Sequence, residues 1–243
     1  MLGSDLVSYL SLIYRVTGID RDNYNNFIGS TFDCIINANG NSKRFWANKH
    51  ILDDFSISTI SVYKNIFDFT CKTYIYISSS DVYENHTSST FTLEDQSINP
   101  DNLSPYGLHK YISESIVRNN NKYYLILRSS MILGKNLKKG PIYDILHKHP
   151  LYITRDSRLQ MITTKEVANI IKFLLTNKIA KEVFNMGGKG TVSFKNIDAK
   201  IRIPVTFIND TEKQEYEMSV AKLNKIYPLK TSGYYLQEFL NSL

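Results

Sequence analysis

The 243 residues, of which 42% are hydrophobic and 21% charged, have the composition of an ordinary globular protein, large enough for one large domain or one domain with a small appendage. No apolar run approaches the roughly 18 residues that cross a bilayer and no leader opens the chain, so we expect a cytoplasmic protein without a membrane partner. The net charge of +6 comes mainly from scattered lysines, with one basic cluster at 135–139, which favours a solvated surface over a nucleic-acid site.

The first half of the chain alternates helical and strand patterns. Apolar residues recur at helical spacing over residues 2–13, and short buried-strand patterns follow at 16–19 and 32–38. A helical pattern covers residues 49–69, and the strand "TYIYISSSDVY" then runs into a serine-rich turn. Cys34 and Cys71 lie in apolar stretches, which predicts buried reduced thiols.

The second half continues the alternation. Helix 106–119 precedes the strand "YYLILRSSMIL", and the amphipathic helix 164–175 precedes the strand "KEVFNMGG". Buried strands alternating with helices predict a parallel sheet covered on both faces. Weaker patterns predict a helix at 142–146, short strands at 151–154 and 201–208, and helices at the end of the chain.

Three polar residues form the sharpest candidate site. A spacing of four places Tyr106 and Lys110 on one helix face, where the ammonium would lower the pKa of the phenol from its ordinary value of ~10 and let it exchange protons. Lys110 can also bridge ribose hydroxyls of a cofactor. Ser79 ends a strand and can hydrogen-bond the substrate oxygen that Tyr106 protonates or deprotonates. These residues are the predicted catalytic set.

The Tyr106 and Lys110 spacing alone is weak, because both residue types are abundant and the spacing arises by chance. Pro105 and Gly107 around the tyrosine, with the strand ending in "SSSDVY", make coincidence a poor explanation. His109 should point away from the face that carries Lys110, so we expect it on the surface. No spacing of His, Cys or carboxylate residues indicates a metal site.

The stretches "SSSDVY", "SPYGLHKYISE", "LILRSSMILG" and "DSRLQMITTKEVANIIKFLL...VFNMGG" resemble the extended short-chain dehydrogenase/reductases in order and spacing. This family contains nucleotide-sugar epimerases, dehydratases and reductases, and the resemblance covers about residues 1–190. It implies an α/β fold with a doubly wound, Rossmann-like parallel sheet and a small C-terminal substrate-binding region. It also implies NAD, or alternatively NADP, as cofactor, with Tyr106 as acid/base, Lys110 as its partner and Ser79 as the orienting hydroxyl.

The resemblance also implies a cofactor site. Asp20 matches the acidic residue that ends the family's second strand and binds the adenosine ribose, which favours NAD. The alternative is that Asp20 only caps a turn. Ser130 and Met131 match the place where the chain passes the nicotinamide. The full set of predicted cofactor-binding residues is Gly3, Asp20, Arg21, Ala38, Asn39, Gly40, Lys110, Ser130 and Met131.

Substrate contacts are implied at Ser80, Asp81 and Arg158. Arg158, in "SRLQMIT", matches an arginine that often binds the nucleotide diphosphate; the alternative is a surface arginine paired with Asp156. Ser80 and Asp81 follow Ser79 where the dehydratases have an Asp-Glu pair. This departure favours an epimerase or a 4-keto-sugar reductase.

The phosphate-binding glycines of the family are largely missing. The family has a first strand and then Gly-x-x-Gly-x-x-Gly, which lets the pyrophosphate approach a helix N-terminus. Only Gly3 remains, matching the third glycine, which serves helix packing. Either the second and fourth strands close on each other, another chain fills the gap, or the native start lies upstream; we expect the last. The span from Asp20 to Asp33 is also short and leaves little room for the family's third strand and its helix. We therefore expect a reduced adenine side of the cofactor site.

Two functional hypotheses stay open at this point. The first is an NAD(P)-dependent nucleotide-sugar epimerase or 4-keto-sugar reductase that uses the predicted catalytic set. The second is a Rossmann-like binding or regulatory protein that has lost its cofactor together with the phosphate glycines. We expect a dinucleotide-binding core at 1–134 and a smaller substrate-binding region at 135–243 interleaved with it. The expected partner is a small nucleotide sugar, not a nucleic acid, and a homodimer is left open.

Overall fold

Four parallel strands form the central sheet, in the order β1-β2-β3-β7. The computed structural model describes residues 1–41 and 43–243. Ile36 of β1 pairs with Ile75 of β2, and Ile75 pairs in turn with Leu125 of β3. The strands are β1 (Thr31–Asn37), β2 (Thr70–Ser79), β3 (Tyr124–Ser129) and β7 (Glu182–Met186).

Helices cover both faces of this sheet, as the alternation of strands and helices predicts. On one face, α1 (Leu2–Leu10) and α7 (Thr164–Thr176) pack with residues such as Ile75 and Leu127. On the other, α4 (Ser61–Asp68) and α5 (Pro105–Asn120) cover the alternate positions, and Val62 and Val117 pack with Tyr74, Tyr76 and Ile126. Successive side chains on a strand point to opposite faces, so β2 supplies both cores. The predicted doubly wound α/β fold is confirmed.

The helical stretch before β2 contains one π-helical turn. α2 (Arg44–Ala47) and α3 (Ile51–Phe55) come first, and the π turn Ser56–Ile60 then joins α3 to α4. The Ser61 N–H donates to the Ser56 carbonyl, the longer bond that defines such a turn. Single π turns inside α-helices are frequent at functional sites.

Shorter elements follow the third strand. β4 (Met131–Leu133) pairs with β6 (Met161–Thr163), and β5 (Arg158–Leu159) lies between β8 (Val192–Ser193) and β9 (Glu215–Tyr216). A second apolar core joins residues such as Ile142, Phe194 and Phe239. The expected division of the chain into a core at 1–134 and a substrate-binding region at 135–243 stays a prediction. The remaining helices are α6 (Pro141–Leu146), α8 (Ile197–Ile201), α9 (Ala221–Ile226) and α10 (Ser232–Leu240).

Three predicted strands are wrong or shorter than expected. Residues 16–19 form no strand: Val16 packs against the core beside α1 without entering the sheet. Residues 151–154 and 201–208 form only the single bridge between Leu151 and Phe207. The strand predicted to run into a serine-rich turn does end at Ser79, where a 3-10 turn follows at Ser80–Val82.

One edge of the sheet is open. Among the described residues no strand pairs with the outer edge of β1, so the second and fourth strands of the family do not close on each other here. Cys34 on β1 and Cys71 on β2 are half-buried free thiols, and burial raises the pKa of Cys34 to about 12. Within the part of the chain that the structure describes, no helix combines the length and apolar character needed to cross a membrane.

Candidate active site

Ser79 is the last residue of β2, at the carboxyl edge of the sheet. Its Oγ donates to Asp81 Oδ2 over 2.9 Å and accepts from the Asp81 N–H over 3.2 Å. The side chain therefore caps the 3-10 turn that follows the strand. Ligands of parallel α/β sheets bind beyond this edge, so the hydroxyl lies where a substrate is expected.

Tyr106 lies in the first turn of α5, which begins there because Ser104 Oγ accepts from the Gly107 N–H and Pro105 occupies the first helical position. The Tyr106 N–H donates to Asn48 Oδ1 over 3.0 Å, which ties the start of α5 to the end of α2. Burial, and then the Asp81 charge, raise the pKa of the phenol well above its ordinary value, while a hydrogen bond with Ser79 acts in the opposite direction.

The structure differs from the sequence prediction for the charge near Tyr106. The prediction made the Lys110 ammonium the group that lowers the tyrosine pKa. Here burial dominates and raises it, and the cation that opposes this effect is Arg44. The phenol is therefore neutral at neutral pH.

Lys110 is buried, with 5% of its surface exposed. Its Nζ donates to the Ile77 carbonyl over 3.3 Å and lies 5.1 Å from the centre of the Tyr76 ring. Burial lowers the pKa of this ammonium to about 8, and the charges of Asp54, Glu114 and Asp81 act in the opposite direction. The Tyr76 hydroxyl is buried and has no hydrogen-bond partner among the described residues.

The turn after β1 brings two predicted cofactor residues to Lys110. Gly40 has a φ of +114°, and a Cβ on it would lie 3.3 Å from Lys110 Nζ. Asn39 donates from its N–H to Asn37 Oδ1 over 3.0 Å and from Nδ2 to Ser61 Oγ over 3.1 Å. Ala38, the residue before the turn, packs half-buried against the core. The turn is thus held by its own polar side chains.

Ser130 and Met131 lie where β3 passes into β4. The Ser130 N–H donates to the Met186 carbonyl, and the Met131 N–H to that of Gln160. Ser130 Oγ is buried with no hydrogen-bond partner within the described residues. A hydroxyl left without a partner at this edge fits a polar group of a cofactor or substrate.

The remaining cofactor candidates lie apart from this group. A Cβ on Gly3 would meet nothing within 4 Å, so the close helix packing expected of the third glycine is absent. Asp20 is not at a strand end; its Oδ1 caps a turn by accepting from the N–H groups of Asp22 and Asn23. Arg21 is exposed in the same turn. The residues around Lys110 therefore fit the nicotinamide and ribose end of NAD, while Asp20 and Arg21 lie in a turn of their own.

The three substrate candidates have different surroundings. Asp81 accepts from Arg44 Nη1 and from the Tyr216 hydroxyl, each over 3.2 Å, beside the Ser79 contact. Ser80 is buried in the 3-10 turn. Arg158 is exposed on β5 and donates to Thr191 Oγ1 over 3.2 Å. The hydrogen-bond partner of Arg158 is thus Thr191, and not Asp156 as in the alternative interpretation of a surface ion pair. Arg158 borders a cavity of about 40 Å³ that is also lined by Thr87, Thr191, Glu215, Tyr216 and Glu217.

Comparison with known proteins assigns the family. The model of the NAD dependent epimerase/dehydratase family matches residues 1–187. The chain belongs to this family. No curated protein sequence matches it.

Solved structures share the fold of this epimerase/dehydratase-family chain at low identity. A UDP-galactose 4-epimerase has a TM-score of 0.78 at 18% identity, over 99% of this chain and 94% of the other. A dTDP-4-dehydrorhamnose reductase from Clostridium acetobutylicum has 0.78 at 16%, over 99% and 95%. A UDP-glucuronic acid 4-epimerase from Bacillus cereus, in complex with UDP-glucuronic acid and NAD, has 0.69 at 18%, over 87% and 76%.

Arg44, Tyr216 and His86 were not found from the sequence, yet they border Asp81. Arg44 donates to Asp81 and to Gln214 Oε1, and its guanidinium lies 4.9 Å from the centre of the Tyr216 ring. His86 stacks on Tyr216 with 3.8 Å between ring centres. These residues lie far apart in the chain, so no short-range spacing marks them.

His109 is buried, which corrects the prediction of a surface residue. Its Nδ1 lies 2.7 Å from Oδ2 of the fully buried Asp54. The buried face of α5 is wider than the one that carries Tyr106 and Lys110, because α5 packs on the sheet and also on α3 and the π turn.

Lys139, from the basic cluster of the sequence, also has an unusual position. Its Nζ is buried without a hydrogen-bond partner in the described residues. Burial, and the charge of Lys43, lower its pKa to about 8. Within the same residues, no group of three or more His, Cys, Asp or Glu side chains could hold a metal ion.

Proposed function

We propose that this family member is an NAD(P)-dependent epimerase or 4-keto-sugar reductase that acts on a nucleotide sugar. One observation carries the proposal: Ser79, Tyr106 and Lys110 gather at the carboxyl edge of the sheet, with the Gly40 turn beside Lys110 Nζ. Ser79 lies near enough to lower the pKa of the Tyr106 phenol, so both hydroxyls can address one substrate oxygen.

NAD or NADP, when bound, supplies or accepts the hydride. Lys110, Asn39 and Gly40 would hold its ribose and nicotinamide end, with Ser130 and Met131 on the opposite side of the edge. Lys110 has donors to spare, since its one hydrogen bond among the described residues is to the Ile77 carbonyl. The unpartnered Ser130 hydroxyl supports the same placement.

Tyr106 moves a proton at the reacting oxygen of the sugar. Its raised pKa keeps the phenol protonated, and a protonated phenol is the form that donates to a ketone oxygen. This is the form of Tyr106 that the reduction of a 4-keto sugar to an alcohol uses. Ser79 orients the same oxygen, and Arg44 fixes Asp81, the carboxylate that holds the Ser79 hydroxyl.

Two cations support a substrate that carries phosphate. Lys139 Nζ is buried near Lys43 and has no hydrogen-bond partner within residues 1–41 and 43–243; an anion would relieve both the missing hydrogen bond and the repulsion. The solved structures of similar fold include a UDP-galactose 4-epimerase and a dTDP-4-dehydrorhamnose reductase. Their names support UDP- or dTDP-linked sugars as the first compounds to test.

The experiment incubates the chain with NAD or NADPH and a panel of UDP- and dTDP-linked sugars and 4-keto sugars, and identifies products by NMR. Tyr106→Phe should lower turnover by about 10²- to 10⁴-fold, the usual contribution of a positioned acid or base. Tyr111→Phe, one turn further on the same helix, is the matched control and should keep full activity. Full activity in Tyr106→Phe would overturn the proposal.

A cofactor-free binding protein is the second candidate. The observation that favours it is that Gly3 has no packing contact in α1, since a Cβ there would meet nothing within 4 Å. Micromolar binding of NAD or NADP excludes this candidate, while selective binding of a nucleotide sugar without either cofactor would support it.

A further inference from the structure

Asp54 and His109 form a buried pair on the far side of the catalytic helix. Asp54 is fully buried and His109 is 4% exposed. Asp54 Oδ2 lies 2.7 Å from His109 Nδ1, and its Oδ1 accepts from Ser58 Oγ over 3.2 Å. Both carboxylate oxygens are therefore fixed, one by α5 and the other by the π turn.

This pair reaches Lys110 through the Gly40 turn. Ser58 Oγ accepts from the Asn41 N–H over 3.4 Å. A Cβ on Gly40 would lie 3.4 Å from Ser58 Oγ and 3.3 Å from Lys110 Nζ, so both polar groups border the same small space beside this glycine. The Asp54 carboxylate thus sits one hydrogen bond behind the atoms that face the ammonium.

The other two carboxylates whose charges favour the Lys110 ammonium already have arginine partners. Arg128 binds Glu114 through two hydrogen bonds of 3.0 and 2.8 Å. Arg44 binds Asp81 over 3.2 Å. Within residues 1–41 and 43–243, Asp54 has no arginine or lysine at ion-pair distance, and its one ionisable partner is His109. Its negative charge is therefore the least neutralised of the three.

We propose that Asp54 is a positioning residue that keeps the buried Lys110 ammonium charged and aimed at the carboxyl edge of the sheet, while His109 and Ser58 hold the carboxylate in place. A buried ammonium without a counter-charge loses its proton. In the part of the chain that the structure describes, Lys110 has only a carbonyl as hydrogen-bond partner, so a nearby charge has to supply what a direct ion pair would. The consequence for cofactor binding rests on the proposed function; the effect on Lys110 itself does not.

Several titratable or charged groups face this ammonium, and each belongs to an element packed around it. The carboxylates have been described, and Tyr76 and Tyr106 are neutral because burial raises their pKa values. The groups are Asp54 from α3, Tyr106, His109 and Glu114 from α5, Tyr76 from β2, Asp81 from the turn after β2, and Arg44 from α2.

The experiment follows the Lys110 side chain by NMR in protein labelled with ¹³C-lysine, with Lys110→Met assigning the resonance and no cofactor present. In Asp54→Asn the Lys110 pKa should fall by at least about one pH unit, the effect of removing a nearby opposite charge. Asp53→Asn is the matched control: the neighbouring carboxylate on α3 is exposed and lies 3.9 Å from His50, and its loss should leave the titration unchanged. An unchanged Lys110 titration in Asp54→Asn would overturn the proposal.

Two further variants keep the test decisive. His109→Asn retains a donor toward Asp54 and should leave the Lys110 titration close to that of the unaltered chain; a fall as large as in Asp54→Asn would contradict the assignment to Asp54. If Asp54→Asn alone does not fold, the double variant Asp54→Asn, Lys110→Met must fold, because it removes both charges. An unfolded double variant would overturn the proposal.

NAD affinity separates this inference from the proposed function. With both correct, Asp54→Asn weakens NAD binding by at least about twofold at pH 7 and by more at pH 8, because a larger share of Lys110 is then neutral and makes weaker hydrogen bonds. A Lys110 titration that shifts as expected in a chain that binds no NAD supports the role of Asp54 and overturns only the proposed function.

Discussion

Lys110 and Gly40 meet at the centre of the candidate site, where a Cβ on Gly40 would lie 3.3 Å from Lys110 Nζ. One residue comes from the middle of α5 and the other from the turn after β1, 70 positions earlier in the chain. The parallel pairing of β1 with β2 places both at the carboxyl edge. The site therefore depends on the sheet order as much as on the Tyr106 to Lys110 spacing.

Gly40→Ala should weaken NAD binding by about tenfold or more, because the methyl group enters the space beside Lys110 Nζ and the φ of +114° strains any residue with a Cβ. The measurement is calorimetric titration. Gly29→Ala is the matched control: its φ is +84°, yet its Cβ would meet nothing within 4 Å. Gly29→Ala should lose stability but keep NAD affinity; equal affinity in both variants would contradict the placement of the turn.

Lys110→Met should change how stability depends on pH. Burial lowers the pKa of Lys110 from 10.5 to about 8, so below pH 8 the folded protein carries a cost of about 3 kcal/mol for the buried charge. This cost falls as the pH rises from about 8 towards 10.5, because there the unfolded chain binds more protons than the folded one.

Denaturant unfolding at pH 7 and at pH 10 measures this effect as a difference between two chains. Lys110→Met should be the more stable at pH 7, by up to about 3 kcal/mol, and this advantage should shrink at pH 10. Lys172→Met, at an exposed position of α7, controls for loss of a lysine and should show no such change. If Lys110→Met is no more stable than the unaltered chain at pH 7, burial of the Lys110 ammonium does not carry this cost.

Gly3→Ala should raise the free energy of unfolding by up to about 1 kcal/mol, the difference in helix propensity between the two residues. The methyl group would meet nothing within 4 Å, so no contact opposes the gain. If Gly3 served close helix packing, as its match to the third glycine implies, the same substitution would lower stability. Thermal unfolding distinguishes the two signs.

Gly107→Ala should have the opposite effect to Gly3→Ala. A Cβ at this position of α5 would overlap the Asp81 carbonyl oxygen, which is backbone and cannot swing aside. We expect a loss of about 3 kcal/mol in unfolding free energy, together with displacement of the neighbouring Tyr106. An unfolding free energy equal to that of the unaltered chain would show that α5 and the turn after β2 are further apart than described.

Local patterns predict much of this fold because the features involved are local. The helix that carries Tyr106 and Lys110 has a Ser104 cap and a Pro at its first position, and β2 is a long run of β-forming residues that ends on serines. Residues 16–19 have a similar short apolar pattern without becoming a strand, because tertiary packing overrides a short pattern of this kind: Val16 packs against the core beside the sheet.

Long-range contacts account for what sequence patterns miss. Arg44, Asp81 and Tyr216 meet although 37 and 135 positions separate them, and no periodicity relates such residues. The sequence prediction puts His109 on the surface because it gives α5 a single buried face. In the structure α5 packs on the sheet and also on α3, so the side of the helix that carries His109 is buried too. No local sequence pattern indicates that His109 is buried, because its partner Asp54 lies 55 positions away in the chain.

Calorimetric titration of NAD and NADPH into the unaltered chain and into Lys110→Met tests the central claim most directly. We expect the unaltered chain to bind NAD or NADPH with micromolar affinity. Lys110→Met should weaken this binding by about tenfold or more, because the charge-assisted hydrogen bonds to the ribose are lost. Absence of binding by the unaltered chain, or binding that Lys110→Met leaves unchanged, would contradict a cofactor site at Lys110.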